Sequence, residues 1–158
     1  MTLKQQAKLV SLKFSKNNLS LSAAESCTGG LISMTLTEIP GASKYFFGGV
    51  VSYANQAKRD LLGVSEKILR TRGAVSKEVA RMMAMGSRKI FRTDWAVSVT
   101  GIAGPAGGTP QKPVGLVFVA IAGPKFVKVT KKNFKGSRKK IQRVAAYEAL
   151  TLLLKNLK

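Results

Sequence analysis

The sequence predicts a single α/β domain of three layers, with helices packed on both faces of a mixed β-sheet. Three observations carry that expectation. Short apolar or β-branched runs alternate with longer segments of helical periodicity. Two of those runs end in glycine-rich turns, which is where open α/β sheets place their ligands. The 158 residues are enough for one domain with a core of its own, so residues 1–158 are read as one unit.

The elements follow in order. Leu3, Ala7, Val10 and Phe14 recur at helical intervals, so Leu3–Phe14 reads as a helix. Leu19–Ala24 reads as a short strand. Gly29–Ile39 reads as a mostly apolar helix closed by Pro40-Gly41. Tyr45–Tyr53 is rich in aromatic and β-branched residues and reads as a strand, with Gly48-Gly49 marking a bulge or a close approach. Asn55–Leu62 is a short helix stopped by Gly63, and Ser65 caps another that runs to Thr71. Ser76 caps the helix Lys77–Phe91, whose first turn carries Glu78, the favourable sign for the helix dipole.

Trp95–Val99 is a β-type run, and Thr100–Pro113 is a long turn built on glycine and proline. Val114–Ile121 is nearly all apolar, as a strand buried on both faces should be. After Gly123-Pro124, Phe126–Phe134 reads as a strand that pairs with it as a hairpin. Lys128, Lys131 and Lys132 mark that strand as an edge or a solvated face. Gly136-Ser137 opens a closing helix through Leu154.

Composition bounds the function. There are 27 Lys and Arg against 7 Asp and Glu, a formal charge of +20. A solvated basic surface ranks first as the explanation, and steering of a small phosphorylated substrate second. Nucleic-acid binding ranks third, because the cations are not interleaved with aromatics and no RNP or zinc-finger signature occurs. No run is long and apolar enough to span a bilayer, and Met1–Lys16 lacks the apolar region of a secretory signal. The single cysteine, Cys27, cannot form an internal disulfide and fits a reducing compartment. The expected location is cytoplasmic, with no membrane partner. Without histidine, and with scattered acids, no metal cluster and no cofactor are implied.

The chemistry concentrates at Ala24-Glu25-Ser26-Cys27-Thr28-Gly29-Gly30. Such a strand-to-helix turn gathers backbone N–H groups that suit an anion or a developing oxyanion. Ser26 is the leading nucleophile; the competing reading makes it a helix cap. Cys27 is the rival nucleophile, but with no histidine to pair with it reads better as a small buried hydrophobe. Thr28 offers a hydroxyl to a ligand or caps the helix. Glu25 binds a ribose hydroxyl, orients a catalytic group, or satisfies local amides. With no histidine the base must be Lys, Tyr, Asp or Glu. Lys58, with Tyr53 nearby, is one candidate, since a desolvated lysine can lose its proton near neutrality; most lysines instead reach water. The second glycine loop, Thr100-Gly101-Ile102-Ala103-Gly104-Pro105-Ala106-Gly107-Gly108-Thr109-Pro110, permits close ligand approach through its glycines, and Thr100, Gly101, Gly104 and Gly107 are its candidate substrate contacts. Arg138 places a cation at a helix N-terminus, unfavourable unless an anion sits between them.

Together, AESCTGG (24–30), VVSYANQAK (50–58), LLGV (61–64), RGAVS (72–76), VSVTGIAGPAGGTPQKPVG (97–115) and GSRKKIQRVAAYEAL (136–150) resemble the CinA C-terminal domain family. The resemblance covers Leu19 to Leu150. It implies a stand-alone nicotinamide-nucleotide amidase that hydrolyses nicotinamide mononucleotide to nicotinate mononucleotide and ammonia. Its partners would be that small substrate and, by family analogy, further copies of itself. The implied roles are Ser26 as nucleophile, Lys58 as base and Tyr53 in support. The chain departs from the family pattern at Ala106 and Ser137, where the family usually carries Asp, and at Gln142, where it usually carries a second Arg. The alternatives are a non-catalytic basic module that binds nucleotide or nucleic acid, and hydrolysis of a related amide or ester.

Overall fold

The structure is a computed structural model and describes residues 1–157; Lys158 lies outside the described residues. The chain runs α1 (Leu3–Lys16), β1 (Leu21–Glu25), α2 (Leu31–Thr37), a 3-10 turn at Ala42–Lys44, β2 (Phe46–Val51), α3 (Asn55–Leu62), α4 (Glu66–Arg72), α5 (Lys77–Phe91), β3 (Trp95–Gly101), β4 (Leu116–Ala122), β5 (Val127–Asn133) and α6 (Arg138–Asn156). Sheet order is β2-β1-β3-β4-β5. β1 lies parallel to both β2 and β3, while β3-β4-β5 are antiparallel, so the sheet is mixed. β5 is an edge strand, which is why it tolerates Lys128 and Lys131 in its ladder.

Two helical layers cover the sheet. On one face Ala7, Val10 and Phe14 of α1, Ile32 and Leu36 of α2, and Ile141, Ala145 and Leu153 of α6 pack on Leu21, Val97 and Val119. On the other, Leu62, Leu69, Val79 and Met83 pack against Ala24, and Ala80 and Ala84 lie on Ala120 and Ala122. Alanines on both sides let α5 sit close to the sheet.

Glycine placement fixes the left edge of the sheet. Leu21 pairs with Phe46 and Ser22 with Gly48, so Phe47 is the extra residue of a bulge. A Cβ at Gly48 would enter the Phe91 ring, and one at Gly49 would collide with Ser33 Oγ. β2 is therefore pressed between α5 and α2. The sequence-based start of α2 at Gly29 is corrected to Leu31. Gly29 (φ +61°) and Gly30 (φ +98°) are left-handed and cannot belong to a right-handed helix. Those two residues lengthen the β1–α2 turn and set Ser26 well ahead of the helix.

Gly86 lies mid-way along α5, where alanine ordinarily stabilises by about 1 kcal/mol. A Cβ there would instead strike the Leu62 carbonyl at the end of α3. The sign should reverse: Gly86→Ala should lower unfolding free energy by about 1–3 kcal/mol in urea melts. A stabilised variant would contradict the α3–α5 contact.

Candidate active site

Ser26 follows β1 directly, and the junction of the two is stitched to both neighbouring chain segments. Its amide donates to Val99 O (3.0 Å), and the Ser52 amide donates to Glu25 O (2.8 Å). The turn thus begins inside the sheet ladder, at the carboxyl ends of the parallel strands. Gly30, the N-cap of α2, has no side chain to cap with. Glu25 supplies the cap from the strand instead. Its Oε1 accepts from Ser33 N (2.8 Å) and Ser33 Oγ (2.7 Å). Its Oε2 accepts from Thr28 Oγ1 (2.7 Å), Gly30 N (3.1 Å) and Ile32 N (3.0 Å). A buried anion with charge-assisted bonds at this helix start is well placed for the dipole.

These contacts sort the candidates of the first turn. Glu25 and Thr28 face one another inside the protein, and neither lines the cleft described below. Gly30 N serves Glu25, and Gly29 N closes the turn onto Ser26 O (3.0 Å). The expectation that Glu25, the Thr28 hydroxyl and the amides of Gly29 and Gly30 touch substrate is therefore replaced by a structural role: they build the turn that presents Ser26. Of the amides from 26 to 30, those of Cys27 and Thr28 have no hydrogen-bond partner among the described residues. Ser26 does not cap α2, since its hydroxyl accepts from Lys58.

Lys58 lies in α3 and is 1% exposed. Its Nζ donates to Ser26 Oγ (3.0 Å), Ser52 O (2.7 Å) and Tyr53 O (3.2 Å). Burial pushes its pKa below the usual lysine range, against a smaller upward pull from Cys27. The Cys27 thiol is buried and pushed up to about 12, chiefly by desolvation, so it is protonated at neutral pH.

A cleft of about 240 Å³ opens over the pair. Ala74 and Val75 form one wall. The second glycine loop forms another, including Thr100, Gly101, Gly104 and Gly107. Thr100 Oγ1 donates to Ala74 O (2.8 Å) and ties the two walls together. Gly104 (φ +75°) and Gly107 (φ +91°) take the left-handed conformation that the loop needs. Arg138 and Tyr53 stand at the mouth. Arg138 Nη1 donates to Gly104 O (2.8 Å) and Nη2 to Tyr53 Oη (2.8 Å). Tyr53 is 61% exposed, and its link to Lys58 is through its backbone carbonyl rather than its ring. A larger hollow of about 780 Å³ lies at the other end of β3, beside Asp94, Arg88 and Met85. It contains no serine or cysteine, whereas the serine–lysine pair lines the smaller cleft.

Some site groups were not legible beforehand. The Ser52 carbonyl, Ala74 and Val75 belong to the site by backbone position, which no residue type announces. Gln142, a departure from the family pattern, donates from Nε2 to Cys27 O (3.0 Å). Its spacing four residues after Arg138 places both on one helix face, and that spacing was the available signal.

Taken together, the molecule is a mixed-sheet α/β protein with a buried serine–lysine pair at its strand ends. The CinA C-terminal domain family matches residues 3–157, and the chain belongs to that family. A CinA-like protein of Geotalea daltonii is 49% identical over 144 residues, covering 91% of this chain but 35% of the relative. The chain thus spans about a third of that relative's length. Among solved structures, the competence/damage inducible protein CihA of Agrobacterium tumefaciens superposes with a TM-score of 0.95 at 42% identity, covering 97% of this chain and 94% of that one. A CinA superfamily protein of Escherichia coli gives 0.94 at 31% identity, with 98% and 90% covered. Among the described residues no helix is long and apolar enough to cross a membrane.

The depressed Lys58 pKa has a stability signature. Between its folded value and the ordinary 10.5, the unfolded chain holds a proton there that the folded chain lacks. Raising pH through that window therefore favours the fold. In urea unfolding across pH, the stability of the wild type relative to Lys58→Met should rise as pH climbs toward 10.5. A flat difference would mean that Lys58 titrates normally.

Proposed function

We propose that this chain is an amidohydrolase that converts nicotinamide mononucleotide to nicotinate mononucleotide and ammonia. The observation that carries the reading is Ser26 Oγ lying 3.0 Å from the Nζ of a fully buried lysine. Neutral Lys58 has two N–H donors and one lone pair. With the donors on Ser52 O and Tyr53 O, the lone pair faces the serine hydroxyl and takes its proton. Ser26 Oγ then attacks the carboxamide carbon. The unpartnered amides of Cys27 and Thr28 receive the oxyanion. Collapse breaks the C–N bond, Lys58 returns the proton to the departing ammonia, and an acyl-serine remains. A water deprotonated by Lys58 hydrolyses that ester, releasing the acid and restoring Ser26.

The pyridinium ring makes its carboxamide electrophilic, and the 5′-phosphate matches the cationic mouth at Arg138. Arg138 would release Tyr53 Oη to take it. Membership in a family that includes nicotinamide-nucleotide amidases supports the reading, as does a net charge of +20 suited to drawing in an anionic substrate. A cytoplasmic homo-oligomer belongs to the same proposal. The charge also favours a second reading, a nucleic-acid-binding module, whose mark would be steeply salt-dependent DNA binding without deamidation.

The test is ammonia release from nicotinamide mononucleotide, compared with free nicotinamide and the intact dinucleotide. Ser26→Ala and Lys58→Ala should each lower kcat by about 10³-fold or more, while Cys27→Ala stays active. In the wild type, kcat should rise with pH as Lys58 deprotonates and level off below 10.5. Activity surviving both of the first two substitutions refutes the mechanism.

A further inference from the structure

We infer that Gln142 is a positioning residue that pins the Cys27–Thr28 peptide and so aims the Thr28 amide, one of the two proposed oxyanion donors; this rests on the amidohydrolase reading above. Ser26 O accepts from Gly29 N at 3.0 Å, so residues 26–29 form a β-turn with Cys27 and Thr28 at its corners. In such a turn the central peptide can rotate while the closing bond stays intact; that rotation is what separates type I from type II. Here the central peptide joins the Cys27 carbonyl to the Thr28 amide. A trans peptide points its C=O and N–H in opposite directions. Whatever holds the carbonyl therefore aims the amide.

Only Gln142 holds it among the described residues. Its Nε2 donates to Cys27 O at 3.0 Å, and neither Cys27 N nor Thr28 N has a partner. The acceptor is a carbonyl, so the side-chain amide must present its NH₂ there. The support behind Gln142 is stiff. α6 runs for 19 residues and buries Ile141, Ala145 and Ala149 in the main core. One turn earlier on α6, Arg138 reaches Gly104 O across the cleft. A bond to the carbonyl also polarises the peptide and strengthens its N–H as a donor. A neutral donor does this without adding another cation to a turn that already faces Lys58.

The experiment uses Gln142→Met, which keeps the length and removes the donor, and Gln142→Glu, which keeps the shape and presents only acceptors. Two measurements are made on the intact chain: steady-state ammonia release, and hydrogen exchange of the 26–30 segment by mass spectrometry. Both variants should lose kcat by about 10- to 100-fold with KM changed less than about twofold, since an oxyanion donor acts in the transition state. Exchange in 26–30 should speed up about tenfold while that of α5 and β3 stays as in the wild type. Unchanged exchange in both variants overturns the pinning. Faster exchange with unaltered kcat overturns the positioning role, and a loss confined to KM makes Gln142 a substrate contact instead. A wild type that releases no ammonia defeats the amidohydrolase reading, and the exchange data still decide whether Gln142 holds the turn.

Discussion

The site is organised around the cost of burying the Lys58 ammonium. A desolvated cation is tolerable only if every N–H finds an acceptor or the group gives up its proton. Two of the three acceptors are backbone carbonyls, of Ser52 and Tyr53, just where β2 ends. The third is the Ser26 hydroxyl at the end of β1. Holding those three oxygens around one nitrogen requires β1 and β2 to stop side by side and α3 to return over them. The parallel pairing of these strands supplies that arrangement.

A second buried charge works on the far side of the serine. Glu25 points away from the cleft and spends both oxygens on the start of α2. A carboxylate with five donors is well solvated by the protein, and it holds in place a loop that two left-handed glycines would otherwise leave loose. Ser26 thus sits between an anion that builds the turn and a cation that touches its hydroxyl. Cys27, between them in sequence, is buried, and desolvation holds its thiol protonated.

α6 joins the parts. Its core face fastens it to the sheet, while its first turns carry the side chains that reach the glycine loop, Tyr53 and the Ser26 turn. The many surface cations contribute little to this. The salt bridges they form are mostly exposed, and pairs of that kind are worth about 0–1 kcal/mol each. Their collective field acts on what approaches the protein rather than on how it folds.

Much of the molecule was legible in the chain. Asn55–Leu62 and Lys77–Phe91 stand where periodicity, Ser76 and Gly63 put them, because caps and stop residues act locally. Lysines on Phe126–Phe134 betrayed an edge strand, since an interior strand could not hydrate them. Ser26 and Lys58 were legible as residue types at suggestive turns, but their separation of 32 positions hid their contact. Only the tertiary structure decided that Glu25 turns inward, that the glycine amides are consumed within the turn, that Tyr53 meets Lys58 through its carbonyl, and that Gln142 reaches Cys27. The physical reason is the same in each case. Sequence patterns report local conformation and which face is buried, whereas a hydrogen bond between distant segments exists only once strand pairing and helix docking have set both ends within 3 Å of each other.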